Sequence, residues 1–416
     1  MASYEYDEQT ANEATGFSGF GGHSLAQING GEVRAMEMLG EGGNDFVTTL
    51  SALGIEDAEQ LIAISAIPDT REELQLGLGL KDKNFNATLE RVRNMLPPER
   101  AALVSTPAPK DFGLGVLAPT AEMIAAAKSS VTTAEDEMVE TAIELPSSVN
   151  LIPFMTPIRN QGPRGTCVSY ALSALNEYIL RRRNIPRDLS EQHLYYEIKL
   201  IDGSPSGCGT WQQKAVNALR LRGQCREITW GYRPNLPCNN HGPLPAQARP
   251  DGLNYRLQTI AVSARNVLAY KNHMSRQRPI TISIPVYNSW YQSAETRRSG
   301  RITMRLGNEP AVGGHAVCLV GYQDSPTSPG GGFFIVRNSW GPSGFGYQCP
   351  FGAGYGTIPY QYITNDAYMM ESYTAVVPGI LSDEDGGDGG DEKVKTGNET
   401  VTIEVGSNVK ITITPN

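Results

Sequence analysis

The residues best suited to chemistry lie far apart in this chain. Gln161 opens the segment Gln161-Gly162-Pro163-Arg164-Gly165-Thr166-Cys167, and Cys167 stands where a helical pattern begins. Ala171, Leu172, Leu175 and Ile179 follow helical spacing, while Arg181, Arg182 and Arg183 crowd the end, where cations complement the helix dipole. The spacing predicts Cys167 at a helix N-terminus. Unpaired backbone N–H groups and the positive end of the dipole there favour a thiolate, the nucleophilic form of the thiol. A cysteine in that position can equally be a small buried hydrophobe, so a nucleophile needs a base beside it.

A base is available 148 residues on. Gly313-Gly314-His315-Ala316-Val317 begins one apolar run, and Phe333-Phe334-Ile335-Val336 begins another that ends at Arg337-Asn338-Ser339-Trp340-Gly341. If the two runs pair as an antiparallel hairpin with Gly321 opposite Gly332, His315 falls opposite Asn338. An amide oxygen can then orient the imidazole N–H. Each residue also has a plain structural use: Gln161 as a loop amide, His315 as a core histidine, Asn338 in a turn, Trp340 in the core. Only the combination around one cysteine singles them out.

That combination resembles the papain-family (C1) cysteine peptidases: Gln161 with Cys167 six residues on, His315 in GGHAV and Asn338 in NSWG. Leu145-Pro146-Ser147-Ser148-Val149 is similar to the mature start of such enzymes, and Leu189-Ser190-Glu191-Gln192 to the family's LSEQ segment. The resemblance spans about residues 145 to 376. It implies an α+β, papain-like fold of two lobes, one helical and carrying the nucleophile helix, the other an antiparallel β lobe carrying His315 and Asn338. It also implies roles. Cys167 attacks a peptide carbonyl as the thiolate of an ion pair with protonated His315, Asn338 holds the imidazole, and Gln161 with the Cys167 N–H binds the oxyanion. Trp340 shields the His315 to Asn338 contact from water. Gly209 and Thr210 resemble the glycine-containing wall of the substrate cleft, and Gly313 and Ala316 are small enough to leave room for a substrate side chain. Two positions depart from the plant and lysosomal enzymes: Val168 follows the nucleophile where they carry Trp, and Arg164 stands where they carry a disulfide cysteine. The variant suits a bacterial-type relative with an N-terminal extension.

Composition sets the wider limits. The 416 residues are 40% hydrophobic and 19% charged, too apolar for a disordered chain, and no apolar run approaches the ~18 residues of a membrane span. A net charge of -9 gives no overall pull toward nucleic acid or anionic lipid; a peptide or protein substrate is what the papain-family resemblance implies. MASYEYDEQT lacks the regions of a signal peptide, so the expected compartment is the cytoplasm, with non-classical export left open. No cofactor or metal is expected: there is no P-loop, dinucleotide fingerprint or EF-hand, and Cys225, Cys238 and His241 match no standard zinc spacing. A disulfide between Cys208 and Cys225, or Cys225 and Cys238, is expected only of an exported protein. Cys318 reads as core.

The elements that must position these residues divide the chain. Residues 1 to 43 read as a loop-rich segment. Residues 44 to 100 read as a helical bundle similar to helix-hairpin-helix or SAM modules, with helices from Asn44, from Glu56 to Ala66, from a capping box at Thr70-Arg71-Glu72-Glu73, and through Phe85, Leu89, Val92 and Leu96. Six basic against eleven acidic residues over 41 to 100 favour a protein contact there over DNA. Residues 101 to 144 read as a linker or prosegment with a helical stretch from Glu122 to Lys128, and its prolines favour extended backbone across the cleft. Residues 145 to 377 form the peptidase domain, 378 to 396 an acidic glycine-rich linker, and 397 to 416 a β-hairpin that could dock a partner. The functional expectation is a cysteine endopeptidase made as a restrained precursor. A transpeptidase or leader-peptide protease on the same fold, and a binding protein with an idle peptidase domain, are the alternatives. The complete Cys-His-Asn-Gln set argues against the last.

Overall fold

A computed structural model describes residues 43–120, 145–365, 371–375, 401–404 and 410–413. The expected loop segment before Gly43, the helix around 122 to 128 and the acidic linker lie outside the described residues. The chain divides into two compact units, one up to Pro378 and one from Gly379.

In the first unit an antiparallel sheet carries the β lobe. Its strands are β1 (Ser148–Asn150), β2 (Thr259–Ala261), β3 (Ile280–Val286), β4 (Gly313–Asp324), β5 (Gly332–Arg337), β6 (Tyr355–Pro359) and β7 (Ser372–Ala375). The order is β2-β7-β3-β4-β5-β6, with β1 added against β4. Strand β3 is buried along its whole length, as an unbroken ITISIPV run between two packed faces should be. Against this sheet lies the helix Cys167–Arg182, buried from Cys167 to Leu180. Glu191–Lys199 and Gln212–Arg222 complete the helical lobe. The first is capped by Ser190, whose hydroxyl accepts from the His193 N–H at 3.0 Å. The second stops at Gly223, where φ is +68° and a Cβ would lie 2.0 Å from the Gly252 carbonyl oxygen.

The hairpin register differs from the expected one. Cys318 pairs with Arg337 and Leu319 with Val336, two residues away from the pairing that sets His315 opposite Asn338. Because side chains alternate with period two, a shift of two keeps the residues at this end of the hairpin on their faces. His315 and Asn338 therefore still meet. Between Leu319 and Tyr322 a bulge moves the register by one more, at Gly321, where a Cβ would collide with the Val149 carbonyl oxygen of β1.

The N-terminal bundle packs into the same unit. Its helices are Gly43–Ala52, Ala58–Ser65, Pro68–Gly77, Asp82–Met95 and Pro98–Val104. Asp57 caps the second by accepting from the Gln60 N–H at 2.8 Å. The third does not start at the expected capping box. Pro68 opens it, where a missing N–H costs nothing, and the Thr70 hydroxyl donates to the Ile64 and Ile67 carbonyls instead. The fifth helix occupies chain expected to be linker, because Val104 is buried in the bundle core. Leu306, from the β lobe, completes that core, and the Met304 N–H donates to the Leu53 carbonyl at 2.9 Å. Buried Arg301 pairs with Asp57 across this junction and lies 3.6 Å from both Glu56 and Glu295.

The second unit contains a hairpin of β8 (Val401–Glu404) and β9 (Lys410–Ile413), paired antiparallel with Val401 opposite Ile413. Val405 and Val409, expected within its strands, lie outside the described residues.

Breaking a buried ion pair by removing one partner costs roughly 3–5 kcal/mol, against about 0–1 for an exposed one. Arg301→Met is expected to lower the urea unfolding free energy by an amount in the first range. A loss in the second would show that the junction is open to water.

Candidate active site

Cys167 is the first residue of its helix because the chain must turn sharply before it. Gly162 takes φ +62°, and the Tyr232 hydroxyl donates to the Gln161 carbonyl at 2.8 Å and lies 2.7 Å from Thr166 Oγ1. The thiol is fully buried. Backbone N–H groups of Ala316, Gly115 and Val168 point at the sulfur and favour a thiolate, yet burial outweighs them and pushes the thiol up to about 11.

His315, also fully buried, sits on β4, and Asn338 follows the last residue of β5. His315 Nε2 lies 2.8 Å from Asn338 Oδ1. The amide oxygen can only accept, so Nε2 carries the proton and Nδ1 keeps its lone pair. Nδ1 has no hydrogen-bond partner. Desolvation holds the imidazole down at about 4, with the Asn338 contact opposing it. Burial thus penalises both charged forms and, with the cleft stretch in place, favours a thiol beside a neutral imidazole.

The remaining expected residues converge on the same place. Trp340 lies 4.8 Å, ring to ring, from His315. Gln161 turns its amide nitrogen toward the Gly113 and Arg164 carbonyls, both at 2.8 Å, and its Oε1 accepts from Ser339 Oγ at 2.7 Å. The Gly113 carbonyl belongs to a stretch of the N-terminal extension that crosses the cleft. Val116 N–H donates to the Gly314 carbonyl, Thr210 N–H donates to the Gly115 carbonyl and Leu117 N–H donates to that of Thr210. Val116 thereby bridges Gly314 antiparallel and Thr210 parallel, one partner on each lobe. Phe112 stacks on Trp340 at 5.2 Å with the Arg297 guanidinium on its ring.

Fit around this stretch is tight. A Cβ on Gly113 would lie 2.4 Å from the Arg164 carbonyl oxygen, and one on Gly115 would lie 2.3 Å from that of Gly165. Gly209 leaves space for the Gly115 carbonyl, and Gly313 leaves space for the Leu114 side chain. The Gly115 N–H lies by the sulfur while Gln161 holds the Gly113 carbonyl, so the two halves of the site engage adjacent peptide groups, Gly113–Leu114 and Leu114–Gly115.

Sequence reasoning missed Ser339, which also places its N–H 2.7 Å from Asn338 Oδ1, and Tyr232. Ser339 lies inside the NSWG segment, but its contact with Gln161 spans 178 positions, and Tyr232 has no local signal. The expected cysteine pairings are also corrected: Cys208 is bonded to Cys238, and Cys225 is a buried free thiol whose N–H donates to His193 Nδ1.

The profile described as papain family cysteine protease matches residues 145–356, half of the chain. This chain belongs to the papain family of cysteine peptidases. It is 24% identical to an uncharacterized peptidase C1-like protein of Acanthamoeba polyphaga mimivirus over 55% of this chain and 72% of that protein. It is 27% identical to cathepsin K of Gallus gallus over 45% of this chain, spanning about half (52%) of that relative. Among solved structures, xylellain, a cysteine protease from Xylella fastidiosa, aligns with a TM-score of 0.52 and 25% identity, over 64% of this chain and 96% of that one.

A thiol held near 11 is almost all protonated at pH 7. In the full-length chain, iodoacetamide labelling of Cys167 is therefore expected to be slow at pH 7 and to climb as pH rises toward about 11. Once the cleft stretch is removed, labelling at pH 7 is expected to become fast, because water and His315 then stabilise the thiolate. Mass-spectrometric mapping of the label checks this. Equal rates at pH 7 with and without the stretch would show that burial does not control the thiol.

Proposed function

We propose that this papain-family cysteine peptidase cleaves peptide bonds through Cys167, His315 and Asn338 with Gln161 in the oxyanion hole, and that the stretch from Phe112 to Leu117 keeps it as a zymogen. In the open cleft His315 Nδ1 takes the thiol proton, and the sulfur forms a bond to the scissile carbonyl carbon. The carbonyl electrons move onto oxygen. Gln161 Nε2 and the Cys167 N–H donate to that oxyanion, and losing one such donor typically costs about 2.7–4 kcal/mol. As the oxyanion collapses, the C–N bond breaks and the imidazolium gives its proton to the leaving amine. Water then attacks the thioester, its proton passing to His315, and the acid leaves as the sulfur is released. Asn338 keeps Nε2 protonated throughout, so Nδ1 is always the nitrogen that exchanges the proton.

The observation that carries the zymogen reading is the hydrogen bonding of Gly113 to Gln161 and of Val116 to Gly314. An extended substrate would need the same backbone groups. Leu114 and Val116 against Gly313 and Gly314 indicate a substrate of extended backbone with aliphatic side chains. A disulfide such as Cys208–Cys238 is kept in oxidising compartments, which favours action outside a reducing cytoplasm.

His315→Ala is expected to abolish turnover of a fluorogenic peptide, while Asn338→Ala leaves a measurable fraction because it only orients the ring. Equal turnover by wild type and His315→Ala would refute the triad. The zymogen reading has its own variant: Gly115→Ala adds a Cβ that collides with the nucleophile loop, so the full-length variant is expected to turn over substrate much faster than the slow full-length wild type. Rates that match would remove the cleft stretch as the inhibitor.

A further inference from the structure

Arg164 buries a guanidinium directly beneath the nucleophile loop, with only 3% of the residue exposed. Its hydrogen bonds run to neutral acceptors: Gln192 Oε1 at 2.8 Å, the Arg233 carbonyl at 3.3 Å and His241 Nδ1 at 3.1 Å. It also lies against the faces of Tyr195 and Tyr232, at 5.2 and 5.9 Å. Burial first, and then the Arg164 charge, holds His241 down to about 4, so its Nδ1 stays free to accept at neutral pH. Desolvating a guanidinium is costly, and a site that does so with three acceptors and two ring faces is built around it.

The main chain of the same residue reaches the catalytic centre. The Arg164 carbonyl accepts from Gln161 Nε2 at 2.8 Å, and it also accepts from the Thr166 N–H at 2.8 Å. Of the two Gln161 amide hydrogens, one is therefore tied to Arg164 and the other points into the cleft, at the Gly113 carbonyl. Where the second points depends on where the first is held. Tyr232, against the Arg164 side chain, fixes the two ends of the loop through its hydroxyl, at the Gln161 carbonyl and Thr166 Oγ1. The stretch carrying Tyr232, Arg233 and His241 also contains Cys238, which is bonded to Cys208 beside the cleft wall at Gly209. One connected frame thus runs from the oxyanion donor to the wall that holds substrate backbone.

We propose that Arg164 and Tyr232 are positioning residues for the oxyanion hole, holding the Gln161 amide at the place where charge develops in the transition state. The proposal rests on the reading of Gln161 as an oxyanion donor. An aimed donor matters only when the oxyanion forms, so losing the aim lowers kcat and leaves KM nearly unchanged. Displacements of about 1 Å at such a centre cost on the order of 100-fold.

The test uses the full-length chain, activated by limited proteolysis of its cleft stretch, with kcat and KM measured on a peptide amide. Variants are Gln161→Ala, Arg164→Met, Arg164→Lys, Tyr232→Phe, and the doubles of Arg164→Met and Tyr232→Phe with Gln161→Ala. Arg164→Met is expected to lower kcat roughly 10- to 100-fold with KM within about twofold. Arg164→Lys should recover part of this. Each double should be no slower than Gln161→Ala alone, because an absent amide cannot be misplaced. If Gln161→Ala lowers kcat but Arg164→Met does not, or if the losses multiply in the doubles, the positioning role is overturned while the oxyanion reading stands. If Gln161→Ala leaves kcat unchanged, the oxyanion reading falls and takes this proposal with it. Should Arg164→Met fail to fold, Tyr232→Phe decides: an unchanged kcat overturns the brace, and a drop absent from the double supports it.

Discussion

The catalytic centre depends on one packing contact, that of the helix Cys167–Arg182 against strand β4. The helix is buried along almost its whole length, so it cannot slide or roll without opening cavities on both sides. Its first residue is thereby fixed beside Ala316, whose N–H points at the sulfur, one position along the strand from His315. His315 is in turn held by Asn338 and covered by Trp340. Cys167 and His315 come from different lobes, and the interface between the lobes brings them together.

The burial that positions these groups also disfavours their charged forms. A thiol near 11 and an imidazole near 4 form a neutral pair, although the helix N-terminus and the Asn338 amide both favour charge. Desolvation is the larger effect for both residues. The stretch from Phe112 to Leu117 bonds through its backbone to Gln161, Thr210 and Gly314; on the zymogen reading proposed above, it takes the hydrogen bonds that an extended peptide would use and keeps water from the groups that would ionise. The bundle anchors this arrangement. Leu306 in its core and Arg301 between its carboxylates join it to the β lobe.

Much of the site was legible in the sequence because its residues lie in short segments with strong local character. Helical spacing behind Cys167, the glycines before His315, and the end of an apolar run at Asn338 each mark an element boundary, where chemistry can sit at a cleft. The antiparallel pairing followed from two runs joined by a turn-rich loop, and the error of two in its register did no harm because strand faces repeat every two residues. Prolines and scattered apolar residues within 105 to 144 suggested extended chain across the cleft, and among the described residues the part from Phe112 to Leu117 makes those contacts. The bundle helices were visible from periodicity, except that local rules misplaced the start of the third and missed the fifth. There Thr70 and Val104 answer to tertiary partners, the Ile64 carbonyl and the bundle core.

By itself, then, the sequence determined which residues can do the chemistry and on which kinds of element they sit, since both follow from side-chain type and local spacing. Tertiary structure alone decided the rest. It paired Cys208 with Cys238, because distance in space and not in sequence selects a disulfide. It set Gly113 and Gly115 against the nucleophile loop, where the absence of a Cβ permits contact. It joined Ser339 to Gln161 across 178 positions and brought Tyr232 under the same loop, contacts for which no local pattern exists. And it set the protonation of Cys167 and His315, because desolvation is a property of everything packed around a group, which no window of sequence contains.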